Sequence, residues 1–124
     1  MDKFSLCEKR VYGDYTLVKY TVNGVDSIQH MKNTFGLNFH FYYEDINGVD
    51  DLQIDGGNTS SVFVTRYNFV NHKKCIRMDA GSILFTVYGA PYTNYVDFVI
   101  LKLSNDEIHM SINYNYKEYY IELS

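Results

Sequence analysis

"GLNFHFYYED", residues 36–45, is the stretch on which the fold turns. Leu37, Phe39, Phe41 and Tyr43 take alternate positions, and Asn38, His40, Tyr42 and Glu44 fill the gaps. A strand sends successive side chains to opposite faces, so this period of two makes one apolar and one polar face. That is the pattern of a half-buried antiparallel strand.

The same alternation spreads outward. "DYTLVKYTV", 14–22, precedes it and ends in Asn23-Gly24, while Asn47-Gly48 joins it to "DDLQID", 50–55. Asn-Gly is a strong hairpin signal, because a tight turn needs positive φ at its central residues. "TSSVFVTRYNFV", 59–70, runs up again, and "CIRMDAGSILFTVYG", 75–89, holds two short strands split at Asp79-Ala80-Gly81. "NYVDFVILKL", 94–103, is the most apolar and reads as a sheet centre; "EIHMSINYNY", 107–116, and "EYYIEL", 118–123, close the chain. "VDSIQHMKN", 25–33, reads either as a return strand or as a turn or two of helix capped by Asp26 or Ser27; the strand is preferred. Phe39, Phe41, Leu84, Phe98 and Ile100 are the core candidates.

Turn signals every eight to twelve residues, without a sustained helical period, imply an all-β fold of about nine strands and at most one short helix. The expected architecture is an antiparallel two-sheet β-sandwich, jelly-roll or Greek-key-like, with a closed β-barrel as the alternative. The 124 residues read as a single domain, 1–124.

Composition agrees. There are 13 Tyr and 8 Phe but no Trp and one Pro, and aromatics reach 17%. Such residues fit pleated surfaces, although AT-rich coding would also raise Tyr. The net charge of −4 argues against nucleic acid as a partner. The start, "MDKFSLCEKR", lacks the apolar run of a signal peptide, and no apolar run is long enough for a membrane helix, so a cytoplasmic protein without membrane contact is expected. Cys7 and Cys75 lie outside any CxxC spacing and read as free thiols, Cys75 as a buried one.

"DGGNTSS", 55–61, is the stretch most like chemistry. It resembles the first phosphate loop of the sugar-kinase, actin and heat-shock-chaperone superfamily, on Asp55, Gly56, Gly57, Asn58 and Thr59. The resemblance implies phosphate contact, but that superfamily closes two large α/β halves on its nucleotide, and 124 residues cannot supply them. The simpler reading is a turn built from residues that tolerate positive φ. Asp45, Asp50, Asp51 and Asp55 do not match a calcium-loop spacing and read as a solvated rim. His30, His40, His72 and His109 are scattered, with no metal-ligand spacing. No nucleophile motif supports catalysis, so no catalytic residue, metal or cofactor is expected.

The remaining signal is tyrosine. "INYNYKEYYIEL", 112–123, and "YGAPYTNY", 88–95, concentrate it near the C-terminus. Tyr114 and Tyr116 read as one strand face, with Tyr119 across the turn. Tyrosine offers contact area at low entropy cost and is enriched at recognition surfaces. The expected binding residues are Tyr92, Tyr95, Tyr114, Tyr116 and Tyr119, with Asp50 and Asp51 as a second surface. The expected function is a small non-catalytic binding protein: an inhibitor or immunity-type protein, as in toxin immunity or phage counter-defence. Its partner would be a host or toxin protein, or its own copy through the edge strand 118–123. The alternatives are a small-ligand binder with an aromatic pocket and a structural virion subunit.

Overall fold

A computed structural model describes residues 11–46, 48–72, 74–79, 95–104, 106–114 and 116–124. Nine strands lie among them: β1 Gly13–Val22, β2 Val25–Asp26, β3 Gly36–Glu44, β4 Val49–Gly56, β5 Phe63–Val70, β6 Cys75–Asp79, β7 Tyr95–Leu103, β8 Ile108–Tyr114 and β9 Lys117–Leu123. One seven-residue helix, α1, Ile28–Thr34, joins β2 to β3. Leu84, Cys7 and the second half of 75–89 lie outside the described residues.

The strands pair antiparallel in the order β2-β1-β3-β4-β5-β6-β7-β8-β9, and β1 also pairs with β9. Eight strands therefore form a closed antiparallel barrel, with β2 as a two-residue flap on the end of β1. The sandwich expectation is corrected to the barrel alternative. Both architectures bury one face of every strand, so alternation alone cannot separate them. The closing contact does: Leu17 pairs with Leu123, Tyr20 with Ile121 and Val22 with Tyr119. Register shifts at Leu17/Lys19, Gly36/Asn38 and Ile100/Lys102 supply the irregularities that let a sheet bend round.

Among the described side chains, the inward face of the ring strands is mostly apolar. Tyr20, Phe39, Leu52, Ile76, Phe98, Met110 and Ile121 have no exposed surface, and Tyr67 has almost none. An eight-stranded barrel is about wide enough for side chains to fill. Large rings do so here: Tyr15 meets Phe41 edge-on at 5.6 Å, Phe41 meets Tyr67 at 5.2 Å, and Tyr67 meets Phe69 at 6.4 Å. Part of the tyrosine excess is thus core packing. Ile100 is partly buried against the same cluster.

The segment 25–33 departs from the strand reading. Asp26 Oδ1 accepts the Ile28 N–H at 3.1 Å, so the backbone turns into α1 after two strand residues. Fully buried Met31 anchors the helix, and Phe35, just beyond it, packs edge-on against Phe63 at 5.0 Å. No helix among the described residues is long and apolar enough to cross a membrane.

Phe39→Ala and Phe98→Ala will each destabilise by about 3–5 kcal/mol in chemical denaturation. Val64→Ala, at an outward position 52% exposed, will stay within about 0.5 kcal/mol. A loss below about 1 kcal/mol at either Phe would remove it from the interior.

Candidate functional site

The strand directions sort the sequence-derived candidates onto two ends of the barrel. β8 stops at Tyr114 and β9 starts at Lys117, at the end where β1 finishes at Val22. β7 runs antiparallel to β8 and begins at Tyr95 on that same end. Tyr95, Tyr114 and Tyr116 therefore share one rim. Tyr92 lies outside the described residues.

Tyr116 is not on a strand face with Tyr114. Tyr114 ends β8 and pairs with Lys117, the first residue of β9, so Tyr116 lies in the turn between the two strands. Tyr116 has φ +64° and is fully exposed. The neighbouring turn is tied to it: the Asn23 N–H donates to the Glu118 carbonyl, and the Glu118 N–H donates to Asn23 Oδ1, each at 2.8 Å.

Tyr119 is corrected from surface to core. It is 2% exposed and inward-facing with Ile121 and Leu123. The Tyr114–Lys117 pairing sets the parity of β9, and that parity sends Tyr120 outward instead. Its hydroxyl donates to Glu122 Oε1 at 2.6 Å, and Lys19 Nζ sits 5.6 Å from its ring centre. Burial, then the hydrogen bond to Glu122 and that residue's charge, push its phenol up to about 12. Both edges of β9 are used, by β8 and β1, so the expected self-pairing through strand 118–123 has no free edge.

Asp50 and Asp51 lie at the other end, beside the β3–β4 turn. Asp50 shares the parity of inward-facing Leu52, and the Tyr12 hydroxyl donates to its Oδ1 at 2.6 Å. Asp51 points outward yet is only 3% exposed, which corrects the solvated-rim reading at this position. By register it sits between Tyr42 on β3 and Arg66 on β5.

One group escaped the sequence reading. His40 on β3 has Nδ1 2.8 Å from Asp14 Oδ1 on β1 and Nε2 3.1 Å from both carboxylate oxygens of Asp55 on β4. The bond to Asp14 is the main cause that raises the His40 pKa, opposed by burial and aided by Asp55. Gln53 Nε2 donates to Asp55 Oδ2 at 2.9 Å; that bond, and then the one to His40, lower the Asp55 pKa. Asp14 and His40 are direct cross-strand partners, which only the register reveals. Among the described residues, no group of three or more His, Cys, Asp or Glu is placed to hold a metal.

The loop at 55–58 is a latch. The Asn58 N–H donates to the Lys32 carbonyl at 2.8 Å, and Asn58 Nδ2 donates to Asn33 Oδ1 at 2.5 Å. Gly56 has φ +76°, and a Cβ on Gly57 would lie 2.7 Å from the Lys32 oxygen and 2.9 Å from the Phe35 oxygen. Carbonyl oxygens crowd the turn where a phosphate loop presents N–H groups. The glycines let β4–β5 close on the end of α1, and Asp55 is engaged by His40 and Gln53.

No family model, curated protein or solved structure matches the chain.

Gly57→Ala will cost about 1–3 kcal/mol by overpacking against backbone. Gly56→Ala will cost about 1 kcal/mol or more through its positive φ. Urea denaturation of both variants checks this, and tight nucleotide binding dependent on Asp55 would overturn the latch reading.

Proposed function

We propose that the protein is a small non-catalytic binder that inhibits another protein, of the toxin-immunity or phage counter-defence kind, and that its partner docks on the tyrosine rim. The supporting observation is Tyr116. A left-handed backbone position suits Asn or Gly, and a bulky side chain there is strained. Its ring is fully exposed, so it adds no burial to the barrel. Strain at an exposed aromatic is accounted for if the ring is covered in a complex, where a Tyr anchor is worth on the order of 2 kcal/mol or more. Tyr95 and Tyr114 begin and end strands on the same rim, and Tyr120 adds an outward phenol on β9. The aromatic packing of the interior supports a reading in which recognition uses the outside of the barrel. A cytoplasmic site of action belongs to the same proposal.

Affinity capture from the source cell, with the captured protein then purified, tests the reading. Tyr116→Asn will keep or slightly raise the melting temperature, because Asn tolerates the left-handed turn. It will also weaken the complex about 30-fold, the equivalent of about 2 kcal/mol. An unchanged Kd with Tyr116→Asn would move the interface off this rim. Sedimentation of the isolated protein separates a heterologous partner from self-assembly.

A further inference from the structure

The β3–β4 hairpin carries a second feature, at the end opposite the tyrosines. Asp51 is outward-facing by parity but 97% shielded from solvent, since its relative exposure is 3%. Among the described residues, its buried Oδ1 has no hydrogen-bond partner. The groups that face it are Tyr42 and Glu44 from β3, Asp50 beside it on β4, and Arg66 from β5. Register pairs Glu44 with Val49 and Tyr42 with Asp51, so Glu44 is the diagonal neighbour of Asp51 on the same outward face. Two carboxylates have no proton to share and repel, whereas a carboxyl and a carboxylate bond well. Arg66 offsets only part of this, because burial and the Glu44 carboxyl outweigh it.

We propose that the β3–β4 hairpin is a proton-dependent clasp, in which Asp51 and Glu44 hold one proton between them when the barrel is closed. Losing that proton leaves two carboxylates side by side, one of them buried, and loosens the hairpin where it joins β5. His40 works in the same sense two strand positions away. Both its ring nitrogens face carboxylates, so the closed face favours the doubly protonated imidazolium.

Burial, then the Glu44 hydrogen bond and charge, push the Asp51 pKa up to about 6 from 3.8. A group whose folded pKa is raised stabilises fully below its unfolded value and loses that effect as pH rises to the folded value. For Asp51 the loss runs between 3.8 and about 6. For His40 it begins at 6.5 and ends at its raised value. Asp55, held low, gives way only below 3.8. The clasp is therefore tightest in mildly acid solution and weakest above neutrality.

Thermal melts of the whole protein between pH 4.5 and 8 test it. The wild type will lose melting temperature as pH rises across this range, while Asp51→Asn, a mimic of the protonated carboxyl, will lose less between pH 4.5 and 6.5. His40→Asn will keep that lower limb and lose the slope above pH 6.5. If Asp51→Asn fails to fold, carbon-13 carboxyl titration of the wild type decides. An aspartate midpoint near 6 supports the clasp, and all aspartates titrating below 5 overturn it. Wild-type slope retained in folded Asp51→Asn also overturns it. Hydrogen exchange that speeds up between pH 5 and 7.5 in β3 and β4, relative to β7 and β8 after correction for intrinsic rate, places the effect on the hairpin; uniform change across the barrel counts against it.

Discussion

The pairing of β1 with β9 is the constraint the rest of the structure rests on. Without it the chain is a long meander with two open edges and one greasy face. With it, every ring strand is paired on both sides, and the apolar face becomes an interior. The junction is extended by a reciprocal bond pair: the Thr16 N–H donates to the Ser124 carbonyl at 2.8 Å, and the Ser124 N–H donates to Thr16 at 2.9 Å. Ring size then explains composition. A closed eight-stranded barrel has a fixed bore that small side chains would leave hollow. Tyr15, Tyr20, Phe39, Phe41, Tyr67, Phe98 and Tyr119 fill it.

Strand identity was legible because period two is local. The alternation in 36–45 names its inward residues, and Phe39 and Phe41 lie where it puts them. Closure was not legible, since it depends on residues about a hundred positions apart. The helix at 28–34 was half legible: Ile28 and Met31 were on one face, but seven residues are too few to outweigh a strand reading. Tyr119 was misplaced because the parity of β9 is reset by the turn before Lys117, and sequence alone does not locate that turn to the residue. The same blindness to register hid the Asp14–His40–Asp55 group.

The candidate surfaces divide by chemistry. One rim gathers tyrosines by backbone position, with a strained exposed ring at its tip. The opposite end gathers carboxylates, one of them buried, with Tyr12 bonded to Asp50 across the mouth. Arg77 and Asp97 bridge β6 and β7 through two hydrogen bonds, 2.8 and 3.1 Å, on the outer wall between these ends. An ordinary ion pair of that exposure contributes little to stability.

Closure between the two ends of the ring also has a consequence in time. During synthesis β1 emerges early, and the strand that must cover its second edge is made at the close of this sequence. At roughly 5–20 residues per second, β1 waits several seconds with backbone N–H and C=O groups open to any passing strand. The meander can add strands one hairpin at a time, but the barrel seals only when β9 arrives. A nascent chain halted near residue 116 would present open edges at β1 and β8 together with an uncovered aromatic lining. Completion of the ring, more than the stability of any single hairpin, is the step at which this chain ceases to be adhesive.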